Sequence, residues 1–214
     1  MSDNLIVYMK GLVGKALAGS GTEKMVRLTK TCGMATAELH GDYNEAALAG
    51  QFYTISNAVG GVAPGTALST TPPICLHNPL TSGKYISIVK TAVGYVSGTL
   101  GAGSIVYATV AQTSSPTTGS SLTPVNHFIG GQAGQAKGYT GSTISAAGTI
   151  LKPAYSMGAA LATTATFQSL AVDFVDGAII IPPGYVFVMQ GVAAAGSSPL
   201  VIMSISYEEL DIIG

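Results

Sequence analysis

The 214 residues include no tryptophan, three histidines, two cysteines and only nineteen charged side chains, nine basic and ten acidic. Each scarcity excludes something. A net charge of −1 argues against a general nucleic-acid binder, which needs an excess of Lys and Arg to displace counterions. So few charges leave a surface that favours association over solitary solubility. Cys32 and Cys75 stand apart, without a CxxC pair or a histidine at metal spacing, so they read as two free thiols. No run of eighteen apolar residues exists, and the long charge-free stretch Thr91–Ala136 is broken throughout by Gly, Ser, Thr, Pro and Gln; a membrane span is not expected. The opening Met1-Ser2-Asp3-Asn4 lacks a basic signal-peptide start, and Lys10 and Lys15 interrupt the apolar residues that follow. The expectation is a chain made and folded in a reducing cytosol without export.

What is abundant is small. Gly, Ala, Ser and Thr make up 98 of the 214 positions, while the hydrophobic fraction of 47% is too high for simple disorder. Charge is also unevenly placed. Residues 1–45 carry ten of the nineteen charges, including Lys10, Lys15, Lys24, Arg27 and Lys30. Gly11, Gly14, Gly19, Gly21 and Gly33 interrupt that segment and exclude one long helix. We read residues 1–45 as an extended N-terminal arm lying on another protein, with Leu5, Ile6, Val7 and Tyr8 as its apolar anchors and the five basic side chains as polar contacts; the alternative is that the segment adds a strand to the main domain. Near its end, Asn44 to Gly50 predicts a turn or two of helix, capped by Asn44 and stopped by Gly50.

From residue 51 the pattern is short strands and turns. Gln51–Ser56 alternates in the manner of a strand. Lys84–Val96 and Ser104–Gln112 are rich in β-branched residues and tyrosine, and the glycines from Gly98 to Gly103 predict a hairpin between them. Residues 113–149 form a Ser/Thr/Gly/Gln-rich polar insertion, too long for an ordinary connection and expected to hold short strands. Four strands are predicted in the C-terminal third, Leu170–Phe174, Ala178–Ile181, Tyr185–Val192 and Leu200–Tyr207. Asp176-Gly177, Pro182-Pro183-Gly184 and Gly196 to Pro199 are their turns. In the last strand Val201, Met203, Ile205 and Tyr207 share a face. No amphipathic helix follows these strands, so the expected fold class is all-β, a jelly-roll-like β-sandwich over residues 46–214 behind the arm.

Chemistry has little to stand on. Gly11 to Lys15 and Gly19 to Lys24 imitate broken phosphate loops, yet neither has the Gly-Lys-Ser/Thr ending. Gly98 to Gly103 leads into a strand and so offers no helix N-terminus to a pyrophosphate. His40, His77 and His127 are scattered, and no serine elbow or reactive cysteine signature accompanies them. Glu208 and Glu209 are adjacent on a strand, so they face opposite sides and keep the terminal strand soluble rather than acting as a pair. No catalytic, cofactor-binding or metal-binding residue is assigned, and a non-enzymatic protein is expected.

Leu76-His77-Asn78-Pro79 with Ser82-Gly83-Lys84-Tyr85, then Val93 to Gly98, resembles a core of tailed-phage virion proteins. Asp176-Gly177 through Pro182-Pro183-Gly184 to Phe187 is similar to the paired-strand segment of their jelly rolls. The likeness spans roughly residues 51–112 and 170–209. It implies a homotrimer in a virion assembled in the host cytoplasm. The role it implies is a capsid decoration (cement) protein contacting the major capsid protein, with no cofactor, nucleic acid or membrane partner. The alternative within the same resemblance is a tail or fibre component binding a host receptor or glycan, and a depolymerase comes third. The arm and the polar insertion depart from the family's pattern.

Overall fold

The computed structural model describes residues 42–157, 171–193 and 196–212. These form one short helix, α1 (Asn44–Leu48), and eleven strands. The strands are β1 (Phe52–Ser56), β2 (Ile74–Asn78), β3 (Lys84–Leu100), β4 (Gly103–Ala111), β5 (Ser120–Leu122), β6 (Val125–Asn126), β7 (Lys137–Thr140), β8 (Thr149–Met157), β9 (Ala171–Ile181), β10 (Tyr185–Val192) and β11 (Gly196–Asp211). They build two antiparallel sheets facing each other, one ordered β6-β1-β11-β3-β9 and the other β5-β7-β2-β10-β4-β8. The expected all-β sandwich is thus present.

The core lies between the sheets. From the five-stranded sheet Ile55, Ile86, Ile88, Val201, Met203, Ile205 and Tyr207 point inward. From the other come Ile74, Leu76, Ile105, Tyr107, Phe187 and Met189. The alternation read in the last strand holds, since Val201, Met203, Ile205 and Tyr207 are all buried. β2 and β10 do not alternate, because a second apolar layer of Cys75, Ala108, Ile144, Val186 and Val188 packs on their outer face under Leu68 and Tyr139. Strands covered on both faces read as continuous apolar runs. Cys75 is a free, buried thiol in that layer, its pKa pushed up to about 12 by burial. Cys32 lies outside the described residues.

Several local expectations change. β3 and β4 are not a hairpin; they sit in different sheets, β3 pairing β11 and β9, β4 pairing β10 and β8. The glycine-rich turn therefore crosses from one sheet to the other. Asp176-Gly177 is no turn between two strands either. Both have positive φ (48° and 78°) and form a bulge inside the continuous strand β9, with Val89 alone opposite residues 175–178. Gly196 to Pro199 belongs to β11, where register shifts near Leu200 absorb the irregularity. A methyl group on Gly98 would meet the Ser198 carbonyl oxygen at 2.1 Å, so that glycine serves close strand approach. Asn44 does not cap α1; it is the first helical residue, Tyr43 holds the cap position, and no side chain caps it. Gly50, at φ 70°, ends the helical turn as expected. Residues 113–149 carry β5, β6 and β7, which extend both sheets, β6 beside β1 and β7 beside β2. Glu209 does not face solvent: it is buried and accepts the Ala136 N–H at 2.9 Å.

Candidate interaction edge

Two strands, β8 and β9, end their sheets on the same side of the sandwich, with no strand pairing their outer sides among the described residues. They are built differently. β8 has Pro153, which cannot donate to a neighbouring strand, and two register shifts against β4. Such features blunt an edge against further pairing. β9 has no proline, and beyond its bulge runs Ile179-Ile180-Ile181.

A polar network ties the two strands together across the sheets. The Tyr107 hydroxyl donates to Asp173 Oδ2 at 2.8 Å, and Lys152 Nζ lies 3.0 Å from the same oxygen. Lys152 also sits 5.5 Å from the Tyr107 ring centre. Thr91 Oγ1 shares hydrogen bonds with the hydroxyls of Tyr107 and Tyr155, and Tyr155 returns one to the Thr91 carbonyl at 3.0 Å. Burial pushes the Tyr107 and Tyr155 hydroxyls above the ordinary tyrosine range, so they stay neutral donors. The network leaves Asp173 and Lys152 neutralising each other.

Beside it, β9 turns an apolar row outward. Val172, Phe174 and Ile180 are 44%, 64% and 48% exposed. Their cross-strand neighbours on the outer face are Ala92, Lys90 and Ser87 of β3 and Ser204, Ser206 and Glu208 of β11. Between the sheets at this edge is a crevice of about 380 Å³, lined by Leu151, Val175, Ile179, Ile181 and Phe187 among others. Ile150 and Leu151 of β8 are also about half exposed, but Ile150 lies opposite Ala108 and so on the outer face of the six-stranded sheet, apart from the β9 row.

The described chain begins on the outer face of the five-stranded sheet. Tyr43 stacks on Phe52 of β1, ring centres 5.5 Å apart, and its hydroxyl donates to Asp176 Oδ1 in the β9 bulge at 2.5 Å. That bond and the neighbouring carboxylates push its pKa up to about 12. Phe52 also meets the His127 ring at 4.4 Å, and His127 Nε2 shares a hydrogen bond with Thr54.

A second hollow, about 460 Å³, lies on the outer face of the six-stranded sheet beneath residues 62–73. Its most buried polar side chain, Gln190, is engaged with the loop itself, donating to the Ala67 carbonyl and accepting the Ser69 N–H. Among the described residues no three His, Cys, Asp or Glu side chains gather as a metal would require. No helix among them is long and apolar enough to cross a membrane.

None of the nine anticipated partner contacts (Leu5, Ile6, Val7, Tyr8, Lys10, Lys15, Lys24, Arg27 and Lys30) falls within the described residues, and neither does His40. Sequence reasoning missed Val172, Phe174 and Ile180 as surface residues. The available signal was Ile179-Ile180-Ile181, apolar at both strand parities where a sheet edge needs only one. No known family model matches the chain, and neither curated proteins nor solved structures gave a match.

Burial has a consequence for pH. The buried His77 donates from Nε2 to the Gln112 carbonyl at 2.9 Å, while Nδ1 has no protein partner. Desolvation holds His77 below the ordinary 6.5, and desolvation with the Lys90 charge does the same to His127. The folded state therefore binds these protons less readily than the unfolded chain. Stability should be full above about pH 6.5 and decline as pH falls from there toward the lowered folded values. Glu208, raised by burial, acts with the opposite sign at lower pH, in the carboxylate range. Urea unfolding midpoints at pH 7.5, 6.0 and 5.0 check this, and His77→Gln should flatten the decline.

Proposed function

We propose that this chain is a non-enzymatic structural protein of a tailed-phage virion, a capsid decoration protein that trimerises and stabilises the head. The observation that carries the reading is the β8–β9 edge, with an exposed apolar row, a neighbouring crevice and mutually neutralised charges. A lone soluble protein gains nothing from such a surface, whereas an assembly buries it. The sheet orders support the fold side of the resemblance. Without β5–β7, the eight remaining strands fall into β1-β11-β3-β9 and β2-β10-β4-β8. We read that alternation of sheets along the chain as a jelly roll of two Greek keys. Sparse charge is consistent with burial in a lattice, since residues 46–214 hold only nine charged side chains. Of these, Lys84 pairs with Asp211 at 2.5 Å and Lys152 with Asp173. The N-terminal arm is the part we assign to reaching a neighbouring virion protein.

Copy number per particle, from quantitative gels of purified virions, tests the role. Hundreds of copies are expected of a decoration protein. A handful to a few tens would instead place the chain in the tail and favour the receptor-binding alternative. Sedimentation of the purified protein tests self-association: a trimer is expected, and Ile180→Glu should weaken it. A stable 21.5 kDa monomer at physiological salt would remove the basis for the trimer.

A further inference from the structure

We infer that the apolar run Leu5-Ile6-Val7-Tyr8-Met9 of one copy adds a strand, in a second copy, to the side of β9 that no described strand pairs, beside Ile179–Ile181. This rests on the reading of the chain as a self-associating structural protein and names the first partner of its arm.

The receptor comes from the geometry of the edge. A strand laid against this part of β9 continues the five-stranded sheet, so its alternate side chains meet different surroundings. Those of one parity turn into the crevice, whose mostly apolar lining includes Leu151, Val175, Ile179, Ile181 and Phe187 along with Thr109 and Lys152. Those of the other parity lie on the outer face beside Ile180, which is half exposed. On both sides the side chains nearest the edge are apolar, Ile179 and Ile181 on one and Ile180 on the other, with Ser87 and Glu208 farther in on the outer face. The strand that fits is therefore apolar at every position instead of alternating. Leu5–Met9 is the longest uninterrupted apolar run in residues 1–41, and it is rich in β-branched and aromatic residues. Leu5, Val7 and Met9 would share one face, Ile6 and Tyr8 the other.

Chain length selects the second copy. The described chain begins beside β9, where Tyr43 is bonded to Asp176. Thirty-two residues, 10–41, lie between Met9 and Asp42. Extended, they reach about 110 Å, against a radius of gyration of about 15 Å for a domain of this size. To place Leu5–Met9 on its own β9, the chain would have to loop out all thirty-two, far beyond ordinary connections of about 4–6 residues. Bridging to a neighbouring copy uses that length. Each copy would give one strand and receive one, so a ring of copies closes with every edge filled.

The test uses the full-length chain with Cys32→Ser, to leave buried Cys75 as the remaining native thiol. One preparation carries Val7→Cys and a second carries Ile180→Cys or Ile179→Cys, since these two neighbours turn to opposite faces of β9 and so cover both parities of the added strand. After joint unfolding, refolding and mild oxidation, a disulfide-linked dimer of the two different variants is expected on a non-reducing gel, and neither variant alone should give it as strongly. Placing both cysteines in one chain should extend the product to a covalent trimer. Exclusively intrachain linkage in the double variant would assign the strand to its own edge, and no linkage at either position would remove β9 as the receptor; both overturn the inference. Independently, deleting residues 2–9 should shift the sedimenting species from trimer to monomer with the domain's circular dichroism unchanged, and a truncated chain that remains trimeric overturns it too. These measurements use purified protein without virions, so their failure is separate from a failure of the virion role, which copy number decides.

Discussion

Removal of residues 196–214 should yield insoluble protein with no cooperative unfolding transition. β11 is the middle of its sheet, sixteen residues long, with β1 pairing it on one side and β3 pairing fourteen of its residues on the other. Its inward side chains Val201, Met203, Ile205 and Tyr207 are at most 1% exposed. Burial of each contributes about 1.5–3 kcal/mol, so together they rival the roughly 5–15 kcal/mol by which a domain is stable. The cut also strips two strands of their partner at once and exposes unpaired backbone that invites aggregation. A milder lesion separates packing from pairing: Met203→Ala keeps the ladder and should cost about 2–5 kcal/mol in urea unfolding. A truncated chain that stayed soluble and folded would show that β11 is not integral to the sandwich.

Two phenylalanines should respond in opposite ways to the same substitution. Phe187 is fully buried in the centre of β10, its ring 5.2 Å from that of Tyr107. Phe187→Ala should destabilise the fold by about 3–5 kcal/mol, the loss of a buried ring plus the cavity it leaves. Phe174 is 64% exposed on β9. Phe174→Ala should change the unfolding free energy of an isolated domain by less than about 0.5 kcal/mol, as surface substitutions do. Its effect should appear in association, as a weaker trimer by sedimentation over a dilution series. Equal stability losses in the two variants would mean that the β9 face is covered within the single chain, and the interaction edge would lose its main support.

The fold class was legible because its cause is local. Strand-forming runs separated by Pro-Pro, Asn-Pro and Asp-Gly pairs, with no amphipathic helix to follow, leave a β-sandwich as the way to bury the apolar residues. The inward face of β11 was legible for the same reason, since alternation is a property of one strand and needs no partner. The candidate edge was not. Phe174 and Phe187 lie in similar stretches of alternating or continuous apolar residues, and only strand order makes one an edge residue and the other central.

What the residues alone determined is therefore composition and period: few charges in near balance, and many strands. What tertiary structure decided is which strands are neighbours. The Gly98–Gly103 turn looks like a hairpin because a short glycine-rich link between two β-branched runs satisfies hairpin geometry. Yet β3 is better paired with β11 and β4 with β10, so the link carries the chain from one sheet to the other. Asp176-Gly177 has turn chemistry because both residues tolerate positive φ, and a bulge requires the same tolerance. The pairing of Asp173 with Lys152 and Tyr107 joins residues far apart in the chain, and no spacing rule announces it. Local sequence sets the torsional preferences of each segment; which segments meet depends on competition among all the strands for the same core, and that competition is settled only in the folded whole.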